Sequence, residues 1–338
     1  MNPFKVGQFS QQFSANQDHF YVNQNYPVFA SVFDGHGQSD NAALFLKQKL
    51  YNKIKQDLAV KNTATIAAKI KQLDDEFNST TTDMSGSTIA SIYIDQNSAI
   101  AFNLGDSRIY YQRNGNFNLI TNDHSVENDK QKLIQKGGIV KNNLLYVSPW
   151  VFANSRSFGD KVAKKYLDNS AEFYESPPTF EFALIVSDGI WSVLEDKEMQ
   201  QIANRNLNNP YIACRELVRQ AARAQLRLVD AQDDCTAVLI VRCKIFDEQK
   251  WQTKFHLSCQ VFIQKVQEFE EEIQDKGRAF IRSSHKSARE LRTGVKKGNL
   301  HEIVRNEKFS IEEFVLSFSD LQVDDIIEAE DDIMGLLQ

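Results

Sequence analysis

Several apolar runs in this chain end or begin on an aspartate, and no other sequence feature constrains the fold so tightly. Asp34 follows "YPVFASVF", Asp188 follows "FALIVS", and Asp233 stands just before "CTAVLIV". Asp106 follows "AFNLG", and Asp18 precedes the stretch "HFYV". Runs of this length and β-branched content read as buried strands. Aspartate is a poor strand former, and an ionised carboxylate at the end of a buried strand needs compensation. Taken singly, each is an ordinary turn residue. Gathered at one end of one sheet, such carboxylates repel and call for cations. A ligand set made of oxygens alone selects hard ions such as Mg²⁺ or Mn²⁺. Glycines follow Asp34 and Asp188, so backbone can approach closely there and a carbonyl can join the ligand set.

The remaining pattern gives the fold class. Residues 27–33 read as a strand. Ser39, the expected N-cap, is followed by Ala43, Leu46, Leu50, Ile54 and Leu58 at helical spacing, and Ile66, Ile70, Leu73 and Phe77 mark a second helix. Strands follow in "STIASIYID", "SAIAFNLGD", "RIYYQRN" and "FNLIT", the last two joined at Asn114-Gly115, a tight-hairpin signal. A helix is expected in "ENDKQKLIQKGG", and a helical stretch from "DKEMQQIANRNL" through "ACRELVRQAARAQLRL", between the strands "FEFALIVSD" and "CTAVLIVRC". Strands and helices come in blocks, which predicts an α+β fold with a mainly antiparallel sheet.

The chain has 338 residues, room for one large domain and an extra module. Its net charge of −6 and 42% hydrophobic content suit a soluble protein and argue against a nucleic-acid partner. No apolar run approaches membrane-spanning length, and "MNPFKVGQFSQQFS" has no signal-like apolar core. The four cysteines lack CxxC spacing, so a reducing, cytoplasmic setting is expected.

Composition changes near residue 245, dividing the chain into 1–245 and a helical, charged extension at 246–338. There Phe255, Cys259, Phe262, Val266, Phe269 and Ile273 form an apolar seam at four-three spacing. Residues 276–305 carry nine Lys/Arg, and 312–332 carry nine Asp/Glu. The seam either covers the main domain or docks a protein partner, and a large cytoskeletal assembly is one expected setting.

The motif order "NQD … VFDGHG … GSTI … NLGDSRIYY … ITNDHS … ANSRSFGD … LIVSDGIWSVL … DDCTAVLIV" resembles the metal-dependent protein serine/threonine phosphatases of type 2C, over about residues 7–243. The resemblance implies a central β-sandwich flanked by helices, with a two-metal site at one end. It implies that Asp34 bridges two Mg²⁺ or Mn²⁺ ions, with the Gly35 carbonyl on one of them. Asp188 and Asp233 complete the set, Asp18 stands in an outer shell, and Asp106 belongs to a weak third site. His36 would be the general acid for a serine or threonine leaving group, while metal-activated water attacks the phosphoprotein in line. Two departures stand out: Phe13 lies where the family grips phosphate with arginine, and Ser192 lies where it has another aspartate. They leave open a catalytically weak or inactive scaffold as the alternative function.

Deleting residues 246–338 tests the division. The remaining chain is expected to stay soluble, to unfold cooperatively and to lose its native neighbours on co-purification. Unfolding of the truncated chain would place the seam in the protein's own core.

Overall fold

The computed structural model describes residues 2–12, 17–227 and 232–243, which lie within one compact unit, Met1–Lys244. The expected extension at 246–338, its seam and its charge blocks lie outside the described residues, as does Phe13.

Two five-stranded sheets form a sandwich. One runs in the order Phe4–Gln11, Cys235–Arg242, Phe182–Val186, Arg108–Arg113, Asn116–Leu119. The other runs Glu172–Ser176, Ala99–Leu104, Ile89–Ile94, Val28–Phe33, His19–Asn23. Every pairing within both sheets is antiparallel.

The central strands lack polar alternation because both of their faces are covered. In Val28–Phe33 all six residues are buried. Val28, Ala30 and Val32 meet Ile109, Ala183, Ile185, Val238 and Ile240 between the sheets. Phe29 and Phe33 point the other way, onto the helices Asn41–Ala59 and Thr63–Thr80, whose buried stripes include Leu46, Leu50, Ile54, Ile66, Ile70 and Phe77. The second sheet is covered in the same way by Asp196–Arg205 and Pro210–Gln225, through Met199, Ile202, Leu217 and Val218. Four layers result, helix pairs outside and sheets inside. No described helix is long and apolar enough to cross a membrane.

The Asn114-Gly115 turn is present, with φ of 51° and 76°. The N-cap of Asn41–Ala59 is Asp40 and not Ser39, and its side chain makes no cap bond, because it is engaged by His19 Nε2 at 2.8 Å. Ser39 still helps: its Oγ accepts the Asn41 N–H at 3.1 Å and donates to Asp83 at 2.7 Å. The helix expected in 127–138 covers only Lys130–Gln135.

Phe4–Gln11 and Glu172–Ser176 gave no clear sequence signal, and His19–Asn23 showed only the short apolar stretch after Asp18. All three are sheet edges, and most of their residues are only partly buried. An edge strand pairs on one side only and so carries a diluted apolar pattern. A small meander, Ile139–Lys141, Leu144–Val147 and Trp150–Phe152, was likewise unforeseen; Leu145 and Phe152 pack with Leu133 and Leu167 in a core of their own.

Phe102 is fully buried and stacks on Phe173 with ring centroids 5.3 Å apart. Phe102→Ala is expected to lower the unfolding free energy by about 3–5 kcal/mol in urea titration. A loss under about 1 kcal/mol would mean that the helix-facing layer is loosely packed.

Candidate active site

Register decides where the acids go. Val32 pairs with Ala90, Ile89 with Leu104, Val186 with both Arg108 and Ala237, and Gln11 with Cys235. The strand ends bearing Asp34, Asp106, Asp188 and Asp233, and the turn bearing Asp18, therefore share one pole of the sandwich.

The carboxyls act on one another there. Burial pushes the Asp34 carboxyl well above the usual carboxylate range, and the charges of Asp188, Asp18, Asp106 and Asp233 push it further. Asp18 is raised by burial and by Asp188 and Asp234, against hydrogen bonds from Thr236 and Ser187. Asp106 is pushed up to about 7 by burial and by Asp188. Asp233 also reaches about 7; its carboxyl is desolvated beside Asp188 although the residue keeps an exposed face.

Backbone and amide groups hold this repulsive set in place. The Asp34 N–H donates to Thr88 Oγ1 at 3.2 Å, and the Thr88 N–H returns to the Asp34 carbonyl at 2.8 Å. The buried Asp234 accepts the N–H groups of Gln17 and Asp18 at 2.6 and 3.2 Å. Gln225, also buried, joins two acid-bearing loops: its Nε2 donates to the Gly189 carbonyl at 2.6 Å and its Oε1 accepts the Asp233 N–H at 2.7 Å. A Cβ at Gly189 would lie 2.0 Å from the Asp234 carbonyl oxygen, so only glycine fits after Asp188. Arg108 binds both Asp123 oxygens, at 3.0 and 2.7 Å, and stacks 3.6 Å over the Trp191 ring, tying "GDSR" to "DGIW".

A second, smaller sheet sets the histidine. Gly35–His36, Gly86–Ser87 and Phe158–Gly159 pair side by side, joining three distant motifs. His36 Nε2 lies 2.8 Å from Asp160 Oδ2, and Ser157 Oγ donates to the same oxygen. Gly86 allows this approach, since a Cβ there would lie 2.3 Å from both His36 Nε2 and Asp160 Oδ2. Burial works against a charge on His36, but the carboxylates around it, Asp160 first and then Asp106 and Asp188, together raise its pKa. "SRSFGD" was read as a motif with no role for Asp160, whose place is set by structure alone: it is 1% exposed and sits in a left-handed turn.

Other predicted positions fall elsewhere. Ser192 is exposed and ends the short helix Asp188–Trp191. With its amide nitrogen turned inward, Asn154 donates to both Asp106 oxygens, at 3.2 and 2.8 Å. Arg156 of "SRSFGD" reaches the Ser170 carbonyl at 3.3 Å and lies 3.9 Å from Asp129.

The family model described as "Protein phosphatase 2C" matches residues 7–227. The chain belongs to the protein phosphatase 2C family. It is 31% identical over 211 residues to "Probable protein phosphatase 2C 11" of Arabidopsis thaliana, covering 59% of this chain and 55% of that one. It is 34% identical over 181 residues to "Probable protein phosphatase 2C 59" of the same plant, covering 49% and 56%. The chain thus spans about half the length of these curated relatives. Among solved structures, the serine-threonine phosphatase 2C of Toxoplasma gondii superposes with a TM-score of 0.61 at 20% identity, covering 70% of this chain and 94% of that one. A C. elegans sex determining protein does so with the same score and identity, covering 71% and 65%. At that identity the likeness shows the shared α+β fold.

The protein phosphatase 2C family is metal-dependent, usually on Mg²⁺ or Mn²⁺. The donor chemistry fits such ions: among the described residues the buried Asp18 Oδ2 and Asp188 Oδ1 have no hydrogen-bond partner, and their neighbours are carboxylates. Among the described residues no three His, Cys, Asp or Glu side chains already stand at the spacing of one cation's ligand shell.

The raised acids set a pH dependence. A carboxyl whose folded pKa lies near 7, against an ordinary 3.8, binds protons more tightly folded than unfolded. Its contribution to stability is full below the ordinary value and is lost as pH rises through about 7. The melting temperature of the metal-free protein should therefore fall between about pH 5 and about pH 8, and Mn²⁺ should restore it chiefly at the higher pH. Asp106→Asn should flatten the slope; a melting temperature independent of pH and Mn²⁺ would refute the coupling.

Proposed function

We propose that this chain is a metal-dependent protein serine/threonine phosphatase acting on phosphoserine and phosphothreonine. The observation that carries the reading is the convergence of Asp18, Asp34, Asp106, Asp188 and Asp233 at the pole where His36 meets Asp160. In this proposal Asp34, Asp188, Asp233 and the Gly35 carbonyl hold two Mg²⁺ or Mn²⁺ ions. Asp18 stands behind them, and Asp106 contributes to a weaker third site. The bound ions would supply an activated water and neutralise phosphoryl charge.

The chain's own residues do the rest. The carboxylates form a rigid floor that needs no reorganisation as charge develops. His36 holds a proton at Nδ1, the ring nitrogen that Asp160 does not engage, for the departing serine or threonine oxygen, a poor leaving group without it. Asp160 orients the ring and favours its charged form. A reducing, cytoplasmic setting belongs to the same proposal, supported by the free, buried Cys214 and Cys235, whose thiols burial pushes far up.

Turnover of p-nitrophenyl phosphate and of a phosphothreonine peptide, with and without Mn²⁺, tests this reading. Mn²⁺-dependent hydrolysis that Asp34→Asn abolishes is the expected result. His36→Ala should cost about 10²–10⁴-fold on the peptide. The rate should fall as pH rises through the His36 pKa, and Asp160→Asn should move that fall to lower pH, because it removes the charge that raises the pKa. No Mn²⁺-dependent turnover above the Asp34→Asn control would leave the non-catalytic scaffold as the better reading.

A further inference from the structure

Asp74 is a buried carboxylate far along the chain from the acid cluster. It sits on the helix Thr63–Thr80 and is 1% exposed. Its Oδ1 accepts the Gly159 N–H at 2.6 Å and Lys164 Nζ at 2.9 Å. Its Oδ2 lies 2.7 Å from Lys164 Nζ and accepts Asn169 Nδ2 at 2.7 Å. A charge this deep is retained only with such a full set of donors.

The Gly159 bond gives the set a consequence. Gly159 and Asp160 are consecutive left-handed residues, with φ of 78° and 48°. That conformation is unfavourable for aspartate and persists only where the surroundings enforce it. Three bonds enforce it here. Asp74 takes the Gly159 N–H, the Ser85 carbonyl takes the Asp160 N–H at 3.0 Å, and the Asp160 carbonyl takes the Ala163 N–H at 2.8 Å. A Cβ at Gly159 would lie 2.5 Å from the Ser85 oxygen, so the turn has no slack on that side. The turn aims the Asp160 carboxylate at His36 Nε2, 2.8 Å away.

We propose that Asp74 is a positioning residue for His36: by accepting the Gly159 N–H it locks the turn that points Asp160 at the imidazole. It touches neither His36 nor the acid cluster, and acts only through that backbone hydrogen bond. In its catalytic consequence this inference rests on the phosphatase reading; its structural consequence does not.

Two neutral double variants of the full chain separate the hydrogen bond from the buried ion pair. Asp74→Asn with Lys164→Gln keeps an oxygen acceptor for Gly159. Asp74→Leu with Lys164→Met fills similar volume but offers none, and such apolar replacement of a buried pair is compatible with folding. The proposal expects the Leu/Met variant to lose the His36–Asp160 contact, opening beyond about 3.5 Å in a crystal structure, and the Asn/Gln variant to retain it. With Mn²⁺, the Leu/Met variant should lose about tenfold or more in kcat on a phosphothreonine peptide at unchanged KM. It should lose less than about threefold on p-nitrophenyl phosphate, whose leaving group needs no proton. The Asn/Gln variant should restore the peptide rate. An intact His36–Asp160 contact in the Leu/Met variant, or equal losses on both substrates, would overturn the proposal. If the unaltered chain turns over neither substrate, the phosphatase reading fails, and the two crystal structures still decide the positioning claim.

Discussion

Mutual repulsion among carboxylates is the constraint around which this molecule is arranged. Burial and neighbouring carboxylates, Asp188 above all, raise the proton affinity of Asp18, Asp34, Asp106 and Asp233, so gathering them costs free energy that the sandwich must offset. It does so with donors fixed before any ligand arrives. Thr88 clamps Asp34, Gln225 clamps the loops of Asp188 and Asp233, and Asp234 clamps the turn of Asp18. Each clamp sits on a strand end or helix end whose position the apolar layers determine. Two pairs of helices and two sheets thus bring these separate chain segments to one pole and hold them against their own charge.

Much of this was legible in the sequence. Central strands such as Val28–Phe33 and Phe182–Val186 announce themselves because both faces are covered and every residue is buried. The helix stripes are equally plain, and the aspartates that break the apolar runs mark the pole. Edge strands without a turn signal were harder to read, since a strand such as Glu172–Ser176 satisfies its pattern with half-buried residues, whereas the edge strand Asn116–Leu119 was marked by the hairpin before it. Asp160, Asp74 and Gln225 were illegible for a different reason. Each owes its importance to partners more than 35 residues away in sequence, or to a backbone bond that no residue type advertises. The family resemblance carried the roles assigned to Asp34 and His36; periodicity alone would have stopped at turn residues.

The histidine arrangement shows how a weakly specified feature becomes rigid. Three two-residue strands make a sheet too small to stand alone. It is fixed because its neighbours are fixed: Gly35 abuts the Gln17 carbonyl, Gly86 underlies the His36–Asp160 pair, and Gly159 hangs from Asp74. Glycine at each of these points lets backbone stand where a side chain would intrude, so the imidazole is oriented by main chain as much as by Asp160.

The first strand of the sandwich pairs with the last. Phe4 lies opposite Arg242, and the Cys243 N–H donates to the Pro3 carbonyl at 2.8 Å. The chain therefore enters and leaves this unit side by side. The same strands reach the acid pole at Gln11 and Cys235, so entry and exit sit one eight-residue strand away from it, roughly 25 Å. A unit whose ends meet can be cut and rejoined elsewhere without changing its interior. Linking residues 3 and 243 directly and opening the ring at the exposed Asn114-Gly115 hairpin should yield a circular permutant with an unaltered acid pole. The geometry also makes the unit a natural insert, one that can sit within a loop of another protein while its acid pole faces away from the host.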